Sequence, residues 1–170
     1  MNFIDIIRKS LIWKFLVSIQ QWLMIISSLF VVLIMCVVVV LRYVFRSDLY
    51  GIEEIVIVAA FWLYFMGSSY GLYDRSHVKA DIIPQMLSNK NQALLRVIIS
   101  LVVSFLCILF TYWATDMISH GLEFMPRTTG LRIPIVISQF SIFLGYLIMS
   151  IYSVIYFLED FFRFMELIRK

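Results

Sequence analysis

Four long stretches of this sequence contain no Asp, Glu, Lys or Arg: Phe15–Leu41, Ile55–Tyr73, Val97–Thr115 and Ile133–Leu158. An α-helix rises 1.5 Å per residue, so about 20 apolar residues cross the ~30 Å hydrocarbon core of a bilayer. Each stretch is long enough, or nearly so with its flanking residues, to do this. The first and last exceed the need and are expected to tilt or to run into the interface. Spans are expected at about 18–42, 53–74, 93–116 and 133–159. Aromatic side chains mark boundaries: Trp22 and Tyr43 around the first span, Tyr70 and Tyr73 at the end of the second, Tyr112 and Trp113 at the end of the third, and Tyr156 late in the fourth. The fold class this implies is an all-α integral membrane protein, one domain covering residues 1–170.

Composition agrees. Hydrophobic residues make up 62% of the chain and charged residues 15%, against about 25% charged in soluble domains, and the mean hydropathy is +0.95. The cations are scattered rather than gathered in a stripe, which argues against a nucleic-acid interface. Cys36 and Cys107 each lie inside an apolar run, where a thiol acts as a small packing residue rather than a reactive one. The first apolar run reads straight into Arg42-Tyr43 with no small-residue cleavage site, so it is expected to remain as an anchor.

Orientation follows from the cations. The N-terminal segment, the connection between the second and third spans, and the C-terminus hold ten Lys and Arg, while the opposite side holds four, Arg42, Arg46, Arg127 and Arg132. The positive-inside rule then places both termini in the cytoplasm, N-in and C-in. Two short segments are expected to lie on the membrane. One is an amphipathic helix over about 2–16, where Ile4, Ile7, Leu11 and Phe15 recur at near-helical spacing. The other covers about 82–88, with Asp81 as its cap and Pro84 in its first turn; a plain surface loop is the competing reading.

Small residues line up within the spans: Ala60, Gly67 and Gly71 in the second, Ser100, Ser104, Cys107 and Thr111 in the third, and Ser138, Ser141, Gly145 and Ser153 in the fourth. In lipid such faces let helix backbones approach closely. They serve either to join the four helices or to join this chain to another, and internal packing is the favoured expectation.

The spans carry little visible chemistry. A pump that moves ions through its own helices keeps ionisable groups at membrane depth, and these four stretches have none. A substrate-binding span broken in its middle by Gly or Pro is also missing: Gly67 and Gly71 fall near one end of the second span, and Pro134 opens the fourth. Bis-histidine haem ligation fails because His77 and His120, the only histidines, fall on opposite sides of the membrane. No nucleotide loop, metal-ligand spacing or nucleophile–base pair is present. The chain reads as a non-enzyme without a cofactor.

The distinctive polar residues sit at the membrane edges. Glu53 and Glu54 open the second span, just after Arg42 and Arg46 close the first. Acidic residues at a helix N-terminus are favoured by its dipole, and the nearby arginines are within reach to pair with them. These four residues read as the closure of the outer hairpin, with a docking surface as the alternative. Glu123, Arg127, Arg132 and Pro134 mark the largest outer loop, whose mixed charge suits a transient polar partner.

Taken in order, Arg42-Tyr43-Val44-Phe45, Glu53-Glu54, Trp62, Gly67, Tyr70-Gly71 and His77-Val78-Lys79-Ala80-Asp81 resemble the small membrane subunit of tripartite ATP-independent periplasmic (TRAP) transporters. The resemblance covers nearly the whole chain, topology included. One departure is at the fourth span, where Pro134 is followed by Ile135 rather than Trp and Gly145 lacks a second Pro ahead of it.

The resemblance implies a scaffold role. A large membrane permease subunit would carry the substrate and sodium sites and move as an elevator. This chain would brace it in the bacterial inner membrane, and a periplasmic binding protein would deliver an organic acid such as sialic acid or a C4-dicarboxylate. Under that reading Ala60, Trp62, Gly67 and Gly71 pack on the large subunit, and Asp48, Glu53, Glu123, Arg127 and Arg132 meet the binding protein. The competing expectations are an anchor subunit of a respiratory or redox complex and, more weakly, an autonomous small transporter.

Overall fold

The computed structural model describes residues 11–47, 50–74 and 89–169. They form four helices: α1 (Leu11–Tyr43), α2 (Ile52–Tyr73), α3 (Asn89–Phe124) and α4 (Val136–Arg169). All four are long and apolar enough to cross a membrane. The segment expected to carry an interfacial helix over 82–88, the His77–Asp81 motif and residues 2–10 lie outside the described residues. Leu11–Leu16, expected in the first interfacial helix, are described as part of α1.

Three helices run well past the charge-free stretches. At 36 residues, α3 is about 54 Å long; it begins at Asn89, before Arg96, and continues through Asp116, His120 and Glu123. No proline occurs from Asn89 to Phe124, and Pro126 follows its end. Met125, with φ 44°, donates its N–H to the Gly121 carbonyl 3.1 Å away, a left-handed cap on the last turn. In α1, Val37-Val38-Val39-Val40 is a β-branched run that favours strands in water. In hydrocarbon the backbone must satisfy itself, so the same run is helical.

The helices pack in the order α1, α2, α4, α3. Contacts fix their directions. Glu54, Phe65 and Tyr73 of α2 meet, in turn, the loop before α4, Gly145 and Tyr156, so α2 and α4 run parallel. Thr111 meets Ser150 at 2.8 Å and Phe110 meets Tyr146, while Gly121 faces Gln139, so α3 runs antiparallel to α4. The starts of α1 and α3 and the ends of α2 and α4 thus share one side, called here the termini side; the two hairpin loops share the other.

The seams have a seven-residue rhythm. On α3 the protected positions are Ala93, Val97, Ser100, Ser104, Cys107, Thr111 and Ala114, alternately four and three apart, the spacing that keeps one stripe against a neighbour. Nearly all are small, which brings the backbones of α3 and α4 together. Ser138, Ser141, Gly145 and Ser153 of α4 are buried as well. The small-residue faces of the third and fourth spans are therefore internal. On α1, Trp13, Val17, Gln20, Met24 and Ser27 begin a similar stripe toward α2, with Gln20 bonded to Ser69 and Met24 against Gly67. A buried cluster toward the termini side gathers Trp13, Val17, Leu72, Cys107, Ile148, Met149, Tyr152 and Tyr156.

The α2–α4 crossing is close at Gly145, where a Cβ would stand 2.8 Å from Phe65 Cβ and 3.1 Å from the Phe65 carbonyl oxygen. Gly145→Val must push α2 and α4 apart, and overpacking of this kind costs about 1–3 kcal/mol. At Gly67 a Cβ meets only Met24 Sδ, at 3.6 Å. Thermal unfolding in detergent should therefore show Gly145→Val lowering the midpoint by about 3–10 °C, with Gly67→Ala within about 2 °C of the parent. Equal effects would contradict the α2–α4 contact.

Candidate functional site

Two polar joints, one at each end of the helix array, hold its elements in register. On the hairpin side, the second loop folds back on itself. Thr128 N–H donates to the Ile133 carbonyl at 3.0 Å, Ile135 N–H donates to the Pro126 carbonyl at 3.0 Å, and Arg127 pairs with Pro134 in an antiparallel bridge. This turn aims three donors outward at one carboxylate. Glu54, in the first turn of α2, accepts from Thr128 Oγ1 (2.5 Å), Gly130 N–H (2.6 Å) and Leu131 N–H (2.8 Å). The Thr128 hydroxyl in turn accepts from Ile133 N–H at 2.9 Å. A carboxylate is suited to this role because it only accepts and has two oxygens to share among donors.

The backbone around the joint is held in unusual conformations. Gly51, φ 81°, caps α2 with its α-carbon so close to Leu131 that a Cβ would stand 2.7 Å from Leu131 Cγ. Among the described residues, Arg46 (φ 52°), Met125 (φ 44°) and Arg132 (φ 56°) are the non-glycine positions with positive φ, and all lie on this side. Such positions persist where surrounding contacts over-determine them. A Cβ on Gly130 would approach Glu54 Oε1 to 2.9 Å, so a bare backbone is needed there for the N–H to reach the carboxylate.

Toward the termini side, the joint is centred on Gln20, which is 1% exposed. Its Nε2 donates to Ser69 Oγ of α2 at 2.6 Å, and its Oε1 accepts from the Tyr152 hydroxyl of α4 at 2.9 Å. The Ser69 hydroxyl in turn donates to the Met66 carbonyl. Trp13, Tyr73 and Tyr152 pack around the joint with tilted rings, their centroids 4.7 Å apart for Trp13–Tyr152 and 5.7 Å for Tyr73–Tyr152. One turn further, the Tyr156 hydroxyl donates to the Tyr73 carbonyl at 2.6 Å. One amide thus ties three helices together.

The residues singled out from the sequence fall as follows. Glu54 is in the hairpin-side joint, and its described bonds go to the second loop rather than to Arg42 or Arg46. Arg42 and Arg46 are exposed beside the first loop, and Glu53 is exposed one residue before Glu54. Glu123, Arg127 and Arg132 are exposed around the second loop; Asp48 lies outside the described residues. Ala60, Trp62, Gly67 and Gly71 are half-buried on α2, with the Trp62 ring 6.2 Å from that of Phe140. Gln20, Ser69, Tyr152, Thr128 and Gly130 were not singled out by the sequence reading, although Gln20-Gln21 is a conspicuous amide pair inside an apolar run.

Along α1 and α3 the described surface at membrane depth is largely apolar and exposed. Trp22, Ile26, Leu29 and Leu33 on α1 and Leu101, Phe105, Ile108 and Tyr112 on α3 are exposed, an area far beyond what a water-soluble monomer shows. Among the described residues no group of three or more His, Cys, Asp or Glu side chains converges as a metal site would require. His120 instead lies 3.7 Å from Asp116 on the same exposed helix face.

If the Glu54 joint holds the second loop, Glu54→Gln should release it, since an amide offers one acceptor oxygen where two were used. Losing partners for these donors costs about 1–3 kcal/mol locally. Hydrogen exchange at Gly130, Leu131 and Ile133 should then speed up about tenfold or more, with the middle of α3 unchanged. Unaltered exchange in the loop would contradict the joint.

A comparison with curated proteins finds no match. The family described as tripartite ATP-independent periplasmic transporters, DctQ component, matches residues 31–163. That range includes both hairpin loops and all of α2 and α3, and it covers more than three quarters of the chain. With four membrane-crossing helices and this match, the protein belongs to the DctQ family, the small membrane component of tripartite ATP-independent periplasmic transporters.

Proposed function

We propose that this chain is the non-catalytic brace of its transporter: it stiffens the scaffold of a larger, sodium-coupled permease subunit and helps to dock a periplasmic binding protein. The observation that carries this reading is the contrast between interior and surface. Gln20 and Glu54 each tie separate elements of the array together through polar bonds, the four spanning stretches hold no Asp, Glu, Lys, Arg or His, and the broad exposed faces are apolar. Such a unit offers surface to a membrane neighbour and no path for an ion.

Membrane-embedded contact with the large subunit is assigned to Ala60, Trp62 and Gly71 on α2, together with the bare faces of α1 and α3, while Gly67 faces Met24 of α1 inside the array. The hairpin side is assigned to the periplasm, in accord with its smaller share of cations, and the termini to the cytoplasm of a bacterium bounded by this inner membrane. Glu53, Glu123, Arg127 and Arg132, exposed around a loop whose backbone is fixed by Glu54, then form a rigid charged surface for the binding protein; Asp48 belongs to the same assignment. The cargo is an organic acid such as sialic acid or a C4-dicarboxylate, bound in the large subunit rather than here.

Reconstitution tests this. Vesicles containing this chain alone should take up no organic acid under a sodium gradient, whereas this chain with its large subunit and binding protein should. Arg127→Glu should leave the membrane complex intact while lowering uptake at limiting binding protein by about tenfold, the range for losing a charge contact at an interface. Sodium-driven uptake by this chain alone would overturn the proposal. Loss of the complex in Arg127→Glu would make Arg127 structural.

A further inference from the structure

Neither joint uses a cleft on the termini side, between the first turns of α3 and the last turns of α4. It encloses about 290 Å³ and is lined by Gln92, Ala93, Arg96, Asp160, Arg163 and Leu167. Its depth can be read from the sequence. Arg96 is the last charge before the apolar run Val97–Thr115, and Glu159 and Asp160 follow directly on the run that ends at Leu158. The cleft therefore sits where hydrocarbon gives way to lipid headgroups.

Its lining has the chemistry for a phosphate. Two guanidinium groups face one carboxylate, leaving an excess of positive charge, and guanidinium pairs with phosphate through two parallel hydrogen bonds. Gln92 adds an amide donor, while Ala93 and Leu167 supply an apolar wall. The volume is at the lower edge of the roughly 300–1,000 Å³ of pockets for drug-sized ligands. That suits a headgroup, with acyl chains left to run along the exposed apolar residues that α3 presents from Ile98 onward. Basic pockets between spanning helices recruit anionic headgroups in this way.

We propose that this cleft binds the headgroup of an anionic glycerophospholipid of the phosphatidylglycerol type. Arg96 and Arg163 hold the phosphate, and Gln92 and Asp160 take the headgroup hydroxyls. A lipid seated there pins the long α3–α4 pair at a fixed depth on the side opposite the Glu54 joint. The inference requires only that the chain cross a bilayer, and it is independent of the proposed transport partners.

Native mass spectrometry of the detergent-solubilised full chain tests it, with phosphatidylglycerol and phosphatidylcholine of identical acyl chains as probes. Phosphatidylglycerol should be retained about five- to thirtyfold more than phosphatidylcholine, the scale expected for one to two effective charges at a membrane surface. In R96Q/R163Q the ratio should fall to about one with helix content unchanged, and in R127Q/R132Q, on the other side, the preference should persist. Should R96Q/R163Q fail to fold, R163Q alone, at an exposed position, should lower the ratio at least about twofold. Inorganic phosphate at the concentration of the lipid should not displace it. Equal retention of the two lipids, or a preference that survives loss of the arginines, would overturn the proposal. Displacement by inorganic phosphate would overturn it too, by assigning the cleft to free phosphate.

Discussion

Helices immersed in lipid gain nothing by trading one apolar neighbour for another, so what holds this array together must come from close packing and from polar groups that have no better partner in hydrocarbon. The Gln20 amide is the clearest case. It sits at a seam position of α1, with its donor on Ser69 and its acceptor on Tyr152, and any sliding of α1 along α2 separates both pairs. A single buried polar residue in a repeating apolar seam sets register in this way. Small residues then allow the approach that the amide fixes: Gly145 against Phe65, and the Ser-Cys-Thr-Ala stripe of α3 against α4.

The second joint extends the same logic to the far side. Glu54 belongs to α2, yet its three donors come from the loop between α3 and α4. Since α2 pairs with α1 and α3 with α4, this carboxylate stitches two helical hairpins into one body. The left-handed positions at Arg46, Gly51, Met125 and Arg132 make tight turns that a looser connection would not need. A body tied at both ends and bare along its flanks is suited to transmitting rigidity to a neighbour, which is the property a brace requires.

Much of this was legible in the sequence. Charge-free stretches located four spans because in lipid a charge is the most expensive residue to misplace. The small-residue lines of the third and fourth spans were legible for the same reason of environment. Helix lengths were under-read: beyond Thr115 the residues turn polar, but nothing between Asp116 and Phe124 breaks a helix, so α3 continues. Spacing along the chain points Glu54 to its local arginines, since it reveals neighbours in sequence, whereas its bonded partners are more than seventy residues away. Gln20 carries no charge, so an uncharged amide inside an apolar run leaves no mark in the charge pattern. The resemblance to small TRAP subunits supplied family and role, neither of which spacing alone contained.

The claim on which the account rests is that polar bonds between helices, rather than apolar contact alone, keep the array in one arrangement. The most direct measurement is a double-mutant cycle on Gln20→Leu and Tyr152→Phe, scored by unfolding free energy in detergent or bicelles. The account predicts a coupling of about 0.5–2 kcal/mol, within the range for hydrogen bonds between membrane helices. Additive effects, with a coupling below about 0.3 kcal/mol, would contradict it.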